Sequence, residues 1–183
     1  MTEKEKMYSG MLYYNLDKNL QQLMLTARKF YLAYNSLSPD CFNEKEELLK
    51  KHLGGCGNTI TIEQPFFCDY GCNLYVGEDF YANVGFTAQD SGEIHIGNNC
   101  FIGPHVSIFT AHHPFDLKQR NAHYEYAFPV NIGDNVWIGG GCIINPGITI
   151  GNNVVIGSGS VVTKDIPDNC IAVGVPCRVI KSL

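Results

Sequence analysis

The stretch 132-IGDNVWIGGGCIINPGITIGNNVVIGSGSVVTK-164 decides the fold. Aliphatic side chains return every six positions, at Ile132, Ile138, Ile144, Ile150, Ile156 and Val162, and Gly133, Gly139, Gly151 and Gly157 follow four of them. The same beat sounds earlier at Ile96, Ile102 and Ile108, with Gly97 and Gly103 behind the first two. A helix repeats every 3.6 residues and a strand every two, so neither yields a sustained period of six. Six-residue repeats predict a parallel β-helix. The pairs Asn98-Asn99, Asp134-Asn135 and Asn152-Asn153 follow repeat glycines at multiples of three hexads. They are expected to stack at one corner of a three-sided coil, because Asn and Asp tolerate the left-handed backbone of tight corners. The fold class is therefore mainly β.

The beat breaks once. After Ile108 it resumes only at Ile132, so eighteen extra residues are inserted within roughly residues 109–131. Pro114, Asp116, Lys118, Gln119, Arg120 and Asn121 suit no buried corner. A long excursion inside a compact domain points to function. It carries His112, His113 and Glu125.

Upstream, the chain reads as helical. Leu20, Leu23, Met24, Ala27, Tyr31 and Tyr34 recur at helical spacing, with Asp17 or Asn19 as the N-cap. A second helix has Asn43 and Glu46 at capping-box spacing, Lys50, Lys51 and His52 near its end, and Gly54-Gly55 as its stop. Residues 1–57 are expected to form a helical cap over one end of a β-helix domain spanning 58–183. An uncapped terminal coil would expose unpaired backbone and apolar core.

Composition narrows the function classes. The chain has 183 residues, is 45% hydrophobic and carries a net charge of −5, which suits one domain and disfavours a nucleic-acid groove or an anionic membrane. No apolar run reaches the roughly 18 to 20 residues of a membrane span. The charged start MTEKEKM does not read as a signal peptide, so a cytoplasmic, reducing location is expected. There the eight cysteines, which include no CxxC pair, serve as reduced packing residues.

The segments EKEKMYSGMLY (3–13), FFCDYGCNLYVGEDFYAN (66–83), HHP (112–114), NIGDNVWIGGGCIINPGITIG (131–151) and VVTKDIP…GVPCRVIK (161–181) resemble the maltose and galactoside O-acetyltransferases of the hexapeptide-repeat superfamily. The resemblance spans essentially the whole chain. It implies a left-handed coil and a homotrimer with active sites between subunits. It also implies acetyl transfer from acetyl-CoA to a sugar hydroxyl, commonly the 6-hydroxyl of maltose, glucose or a galactoside.

A hydroxyl is a poor nucleophile at neutral pH, and histidine is a natural base there. The matching position is His113, with His112 a bystander; a solvated loop histidine is the competing account. For the acceptor the resemblance points to Asn15, Asp69, Tyr81, Asn83, Ser91 and Glu125. Asn83 is either the oxyanion donor or another corner asparagine, and Glu125 either orients the acceptor or is a loop charge. Asp69 and Glu125 follow the maltose type, while Asn15 and Ser91 replace galactoside-type aspartates. For acetyl-CoA it points to Asn83, Trp137, Gly140, Ser158, Thr163, Lys164, Arg178 and Lys181. The three cations would pair with phosphates, and Trp137 packs on substrate or between subunits. No metal is required; His95, His105 and His123 match no zinc ligand spacing. Two alternatives use the same scaffold: acyl transfer to an antibiotic or amino sugar, and a non-catalytic trimeric scaffold.

Overall fold

A computed structural model covers residues 1–183. The hexads become short strands on three faces of a coil. Face one stacks Leu74–Val76, Ile94–Ile96, Val130–Ile132 and Thr149–Ile150 in parallel. Face two stacks Ile60–Ile62, Phe80–Ala82, Phe101–Ile102, Trp137–Ile138, Val154–Ile156 and Cys170–Val173. Face three stacks Phe67–Cys68, Thr87–Gln89, Ser107–Phe109, Ile143–Ile144 and Val161–Val162. This is the left-handed hexapeptide β-helix.

The beat residues fill the interior. Ile96 is in register with Ile132, and Ile132 with Ile150. Likewise Ile102 meets Ile138 and Ile138 meets Ile156, while Ile108 meets Ile144 and Ile144 meets Val162. All of these are buried. Burying each such side chain contributes about 1.5–3 kcal/mol.

The corner pairs stack as expected. Asp134 Oδ1 accepts the backbone N–H of Asn98 at 2.7 Å, and Asn152 Oδ1 accepts that of Asp134 at 2.8 Å. Glu78 and Asp168 extend the series, each donating to or accepting from the next coil. Asn99, Asn135 and Asn153 lie at φ of 53°, 57° and 52°, the left-handed region.

The coils are not uniformly eighteen residues long. Ile62 pairs with Ala82 and Ala82 with Ile102, twenty residues apart each time, whereas Ile156 pairs with Ala172 after sixteen. The whole irregularity sits at the corner from face three to face one. Cys68 to Val76 and Ala88 to Ile96 take eight residues, Ile108 to Ile132 twenty-four, Ile144 to Ile150 six and Val162 to Ile166 four. The other two corners keep the six-residue step, so the beat upstream of Ile96 is masked, not absent.

The excursion has secondary structure of its own. Ala111–His112 pairs antiparallel with Tyr124–Ala127, and a five-residue helix, Leu117–Asn121, lies between them. Phe109 ends a face-three strand and Asn131 lies within a face-one strand, so the departure is confined to residues 110–129.

Three further helices precede the coil: α1 (Glu3–Tyr8), α2 (Lys18–Asn35) and α3 (Phe42–His52). Helix α1 opens with a capping box between Thr2 and Glu5, a signal present in the sequence but outside the two expected helices. For α2 the N-cap is Asp17, whose carboxylate accepts from Asn19 and Leu20. The Asn43–Glu46 capping box does not form. Helix α3 starts two residues earlier, behind Cys41, which makes no side-chain cap. Phe30, Tyr34 and Leu49 pack on Phe66 and the first coil in one continuous core. Asn35 exchanges hydrogen bonds of 2.8 and 2.9 Å with the backbone of Phe66, satisfying groups the first coil would leave open. At the other end, Arg178–Ser182 folds back antiparallel on Cys170–Val173. No helix is long and apolar enough to cross a membrane.

Candidate active site

The excursion, the N-terminal segment and the irregular corner converge. Met7, Tyr13, Leu20, Tyr70 and Ala127 form a second, smaller buried cluster, which anchors α1, α2 and the hairpin to that corner. Tyr13–Tyr14 adds a strand to the excursion, setting Tyr13 opposite Glu125.

Glu125 is consequently held from two sides. The Tyr13 hydroxyl donates to its Oε2 at 2.9 Å and the Asn15 amide to its Oε1. Burial, then Glu125 itself, pushes the Tyr13 phenol far above its ordinary range, so it stays a donor. His113 Nδ1 lies 3.8 Å from Glu125 Oε1; the imidazole is 63% exposed while the carboxylate is 13% exposed. A fixed, largely buried carboxylate thus faces an accessible imidazole. It can stabilise the imidazolium and direct Nε2 outward as the available base.

Beside this pair lies a cavity of about 190 Å³ lined by Asn15, Gln21, Asp69, Gln89, Ser91 and Glu125, among others. Four of the six expected acceptor residues therefore meet. Burial, reinforced by Glu125, pushes the Asp69 carboxyl up to about 6, while Arg28 and Gln89 pull it back. Asn15 Oδ1 is buried without a partner.

Tyr81 and Asn83 are not in this pocket. They share a groove of about 530 Å³ on the face-two side with Phe101, Trp137, Gly140 and Ser158. The two depressions share no residue. The backbone is bare in this groove because successive coils touch: a Cβ on Gly103 would stand 2.5 Å from Gly140 N, and one on Gly139 2.6 Å from Ser158 N. Trp137 and Phe101 are more than half exposed, an apolar wall for an extended ligand. Asn83 Oδ1 accepts the Val84 N–H at 2.8 Å, which leaves its amide N–H groups free to donate. Thr163, Lys164, Arg178 and Lys181 are exposed.

Residues 129–164 match the bacterial transferase hexapeptide (six repeats) family, and residues 6–57 the maltose acetyltransferase hexapeptide capping motif. A maltose O-acetyltransferase from Clostridium difficile 630 is 52% identical, superposes with a TM-score of 0.99, and is matched over 100% of this chain and 98% of its own. The galactoside O-acetyltransferase of Escherichia coli K12 is 39% identical over 100% of this chain and 90% of its length. A galactoside acetyltransferase structure in complex with coenzyme A is 39% identical, with a TM-score of 0.96 and coverage of 100% and 91%. The chain belongs to the maltose and galactoside O-acetyltransferase family. It is an acetyltransferase of that type.

Within this acetyltransferase the other histidines have separate surroundings. His112 packs edge-on against Phe115 and Phe128, with Nδ1 buried and unpartnered. His95 pairs with Glu93 at 2.9 Å and stacks on Tyr75, while His105 and His123 occupy left-handed turn positions. No three His, Cys, Asp or Glu side chains cluster as metal ligands. All eight cysteines are free thiols, Cys100 and Cys142 fully buried.

Sequence reasoning missed Tyr13, Gln89 and Asp90. Asp90 is fully buried at the corner, and burial pushes it up to about 7 against the pull of backbone donors. Tyr13 lies within the matched N-terminal segment and could have been found there. Nothing in the sequence separates Asp90 from an ordinary corner residue.

Proposed function

We propose that the protein transfers acetyl from acetyl-CoA to a hydroxyl, commonly the 6-hydroxyl, of a sugar such as maltose, glucose or a galactoside, with His113 as general base. The observation that carries this is the His113–Glu125 pair at the edge of a polar cavity lined by Asp69, Ser91 and Asn15. The acceptor hydroxyl oxygen attacks the acetyl carbonyl carbon as its proton passes to His113 Nε2. Glu125 stabilises the imidazolium. The Asn83 amide donates to the developing oxyanion. Collapse breaks the carbon–sulfur bond, and the departing thiolate takes the proton back from His113, leaving an acetyl ester and free CoA. No acyl-enzyme forms.

Acetyl-CoA runs along the Trp137 groove, its arm against Gly140 and Ser158 and its phosphates near Lys164, Arg178 and Lys181. Within one chain the acceptor cavity and this groove are separate depressions. A homotrimer that sets the cavity of one protomer against the groove of its neighbour supplies a complete site, and the exposed Trp137 and Phe101 support such a contact.

The test is His113→Ala, assayed by sugar-dependent thiol release from acetyl-CoA. Turnover is expected to fall by about 10²–10⁴ with acetyl-CoA affinity nearly intact. Turnover near wild type would reject His113 as the base.

A further inference from the structure

The corner that collects every irregularity in coil length holds a buried carboxylate with no task in the acetyl transfer. Asp90 Oδ1 accepts the backbone N–H groups of Asp69 at 3.0 Å and Tyr70 at 2.8 Å, and Oδ2 accepts that of Asn73 at 3.2 Å. The Asn73 side chain returns a bond to the Asp90 carbonyl at 2.8 Å and is itself held by the Tyr8 hydroxyl at 2.7 Å. No cation meets the Asp90 carboxylate in an ion pair; its hydrogen-bond partners are the backbone donors of residues 69–73. This is the segment where the coil is two residues longer than three hexads.

One coil on, a second buried polar side chain repeats the arrangement. The Thr110 hydroxyl donates to the Gln89 carbonyl at 2.6 Å and accepts the Gly92 N–H at 2.8 Å. Thr110 is fully buried and stands at the base of the excursion, three residues before His113. Gln89 and Asp69 both line the acceptor cavity. A continuous polar spine thus runs from the root of the base-bearing loop to the backbone of Asp69.

We infer that Asp90 is a positioning residue for the acceptor, fixing the backbone from which Asp69 projects into the cavity, with Thr110 tying that corner to the His113 excursion. The inference rests on the sugar-acetylating reading above. Loss of one of the three backbone bonds frees the corner and moves the Asp69 carboxylate, and acceptor binding registers that displacement.

The experiment uses the full-length protein, with maltose and glucose as acceptors. In Asp90→Asn the amide keeps the size and one acceptor oxygen but turns an N–H₂ group toward a backbone donor. The acceptor KM should rise about tenfold while the KM for acetyl-CoA changes less than about twofold. In a double-mutant cycle with Asp69→Asn, most of the Asp90→Asn penalty should disappear, because Asp90 acts through Asp69. Additive penalties, or a lower melting temperature with unchanged kinetics per active site, would overturn the inference. Should Asp90→Asn fail to fold, Thr110→Val and Thr110→Ser test the same spine. Valine should raise the acceptor KM and serine should restore it; equal kinetics in the two would overturn the inference equally. A wild-type protein inert toward both sugars counts against the acceptor assignment itself. A wild-type protein that turns over, beside an Asp90→Asn variant of unchanged KM, counts against Asp90 alone.

Discussion

Asp69 offers a quantitative prediction. Its carboxyl is raised from 3.8 to about 6, chiefly by burial and next by the facing Glu125. With that value about nine-tenths of the side chain is ionised at pH 7 and only about one-tenth at pH 5; an unshifted carboxyl would still be more than nine-tenths ionised at pH 5. If the ionised form grips the acceptor, kcat/KM for the sugar should fall about tenfold over that interval through Asp69 alone. Because other groups in the site also titrate, the informative quantity is the ratio of wild-type to Asp69→Asn kcat/KM at each pH. That ratio should bend near pH 6. Stability moves oppositely. The folded state disfavours the ionised form, so the group's contribution is fully present below pH 3.8 and is lost as pH rises through 6. A rise from 3.8 to about 6 corresponds to about 3 kcal/mol at most, so Asp69→Asn should unfold at higher temperature than wild type at pH 7 and lose that advantage near pH 4. A flat ratio between pH 5 and 7, together with no gain in stability at pH 7, would refute the reasoning.

Other expectations follow from the column and the groove. Ile138→Ala empties a fully buried position between Ile102 and Ile156 and should destabilise by about 3 kcal/mol in thermal or denaturant unfolding. Trp137→Ala should raise the acetyl-CoA KM by about five- to tenfold, measured from initial rates over a range of acetyl-CoA concentrations at fixed sugar. Asn152→Ala deletes the acceptor of the Asp134 N–H and should lower stability by about 1 kcal/mol.

Much of the column was legible because two of its three corners keep one step length. The inward residues from Ile96 to Val162 recur with that step, and their phase survives even across the excursion. It fails before Ile96 because the Asp69 and Asp90 corners are eight residues long, so Val76, Ala82 and Ala88 fall off the beat although they stack beneath it. Glycine-associated Asn and Asp pairs marked the stacked corner since left-handed backbone selects few residue types. Candidate site residues named through the family resemblance, such as Asn15, Asp69, Ser91 and Glu125, do meet in space. The Tyr13–Glu125 bond joins residues 112 apart, and Asp90 differs from a solvated corner aspartate only in depth and in its three backbone partners. Those facts belong to tertiary packing, which no local pattern encodes. The Asn43 capping box failed for a related reason: helix propensity and spacing fit either start, and the chain begins its turn at Phe42.

Two corners of every turn have invariant length, and the third absorbs segments of four to twenty-four residues without disturbing the register above or below. Evolution can therefore lengthen, trim or rebuild that one edge as freely as an antibody changes its loops. The rigid shaft beside it continues to present the same groove whatever that edge becomes.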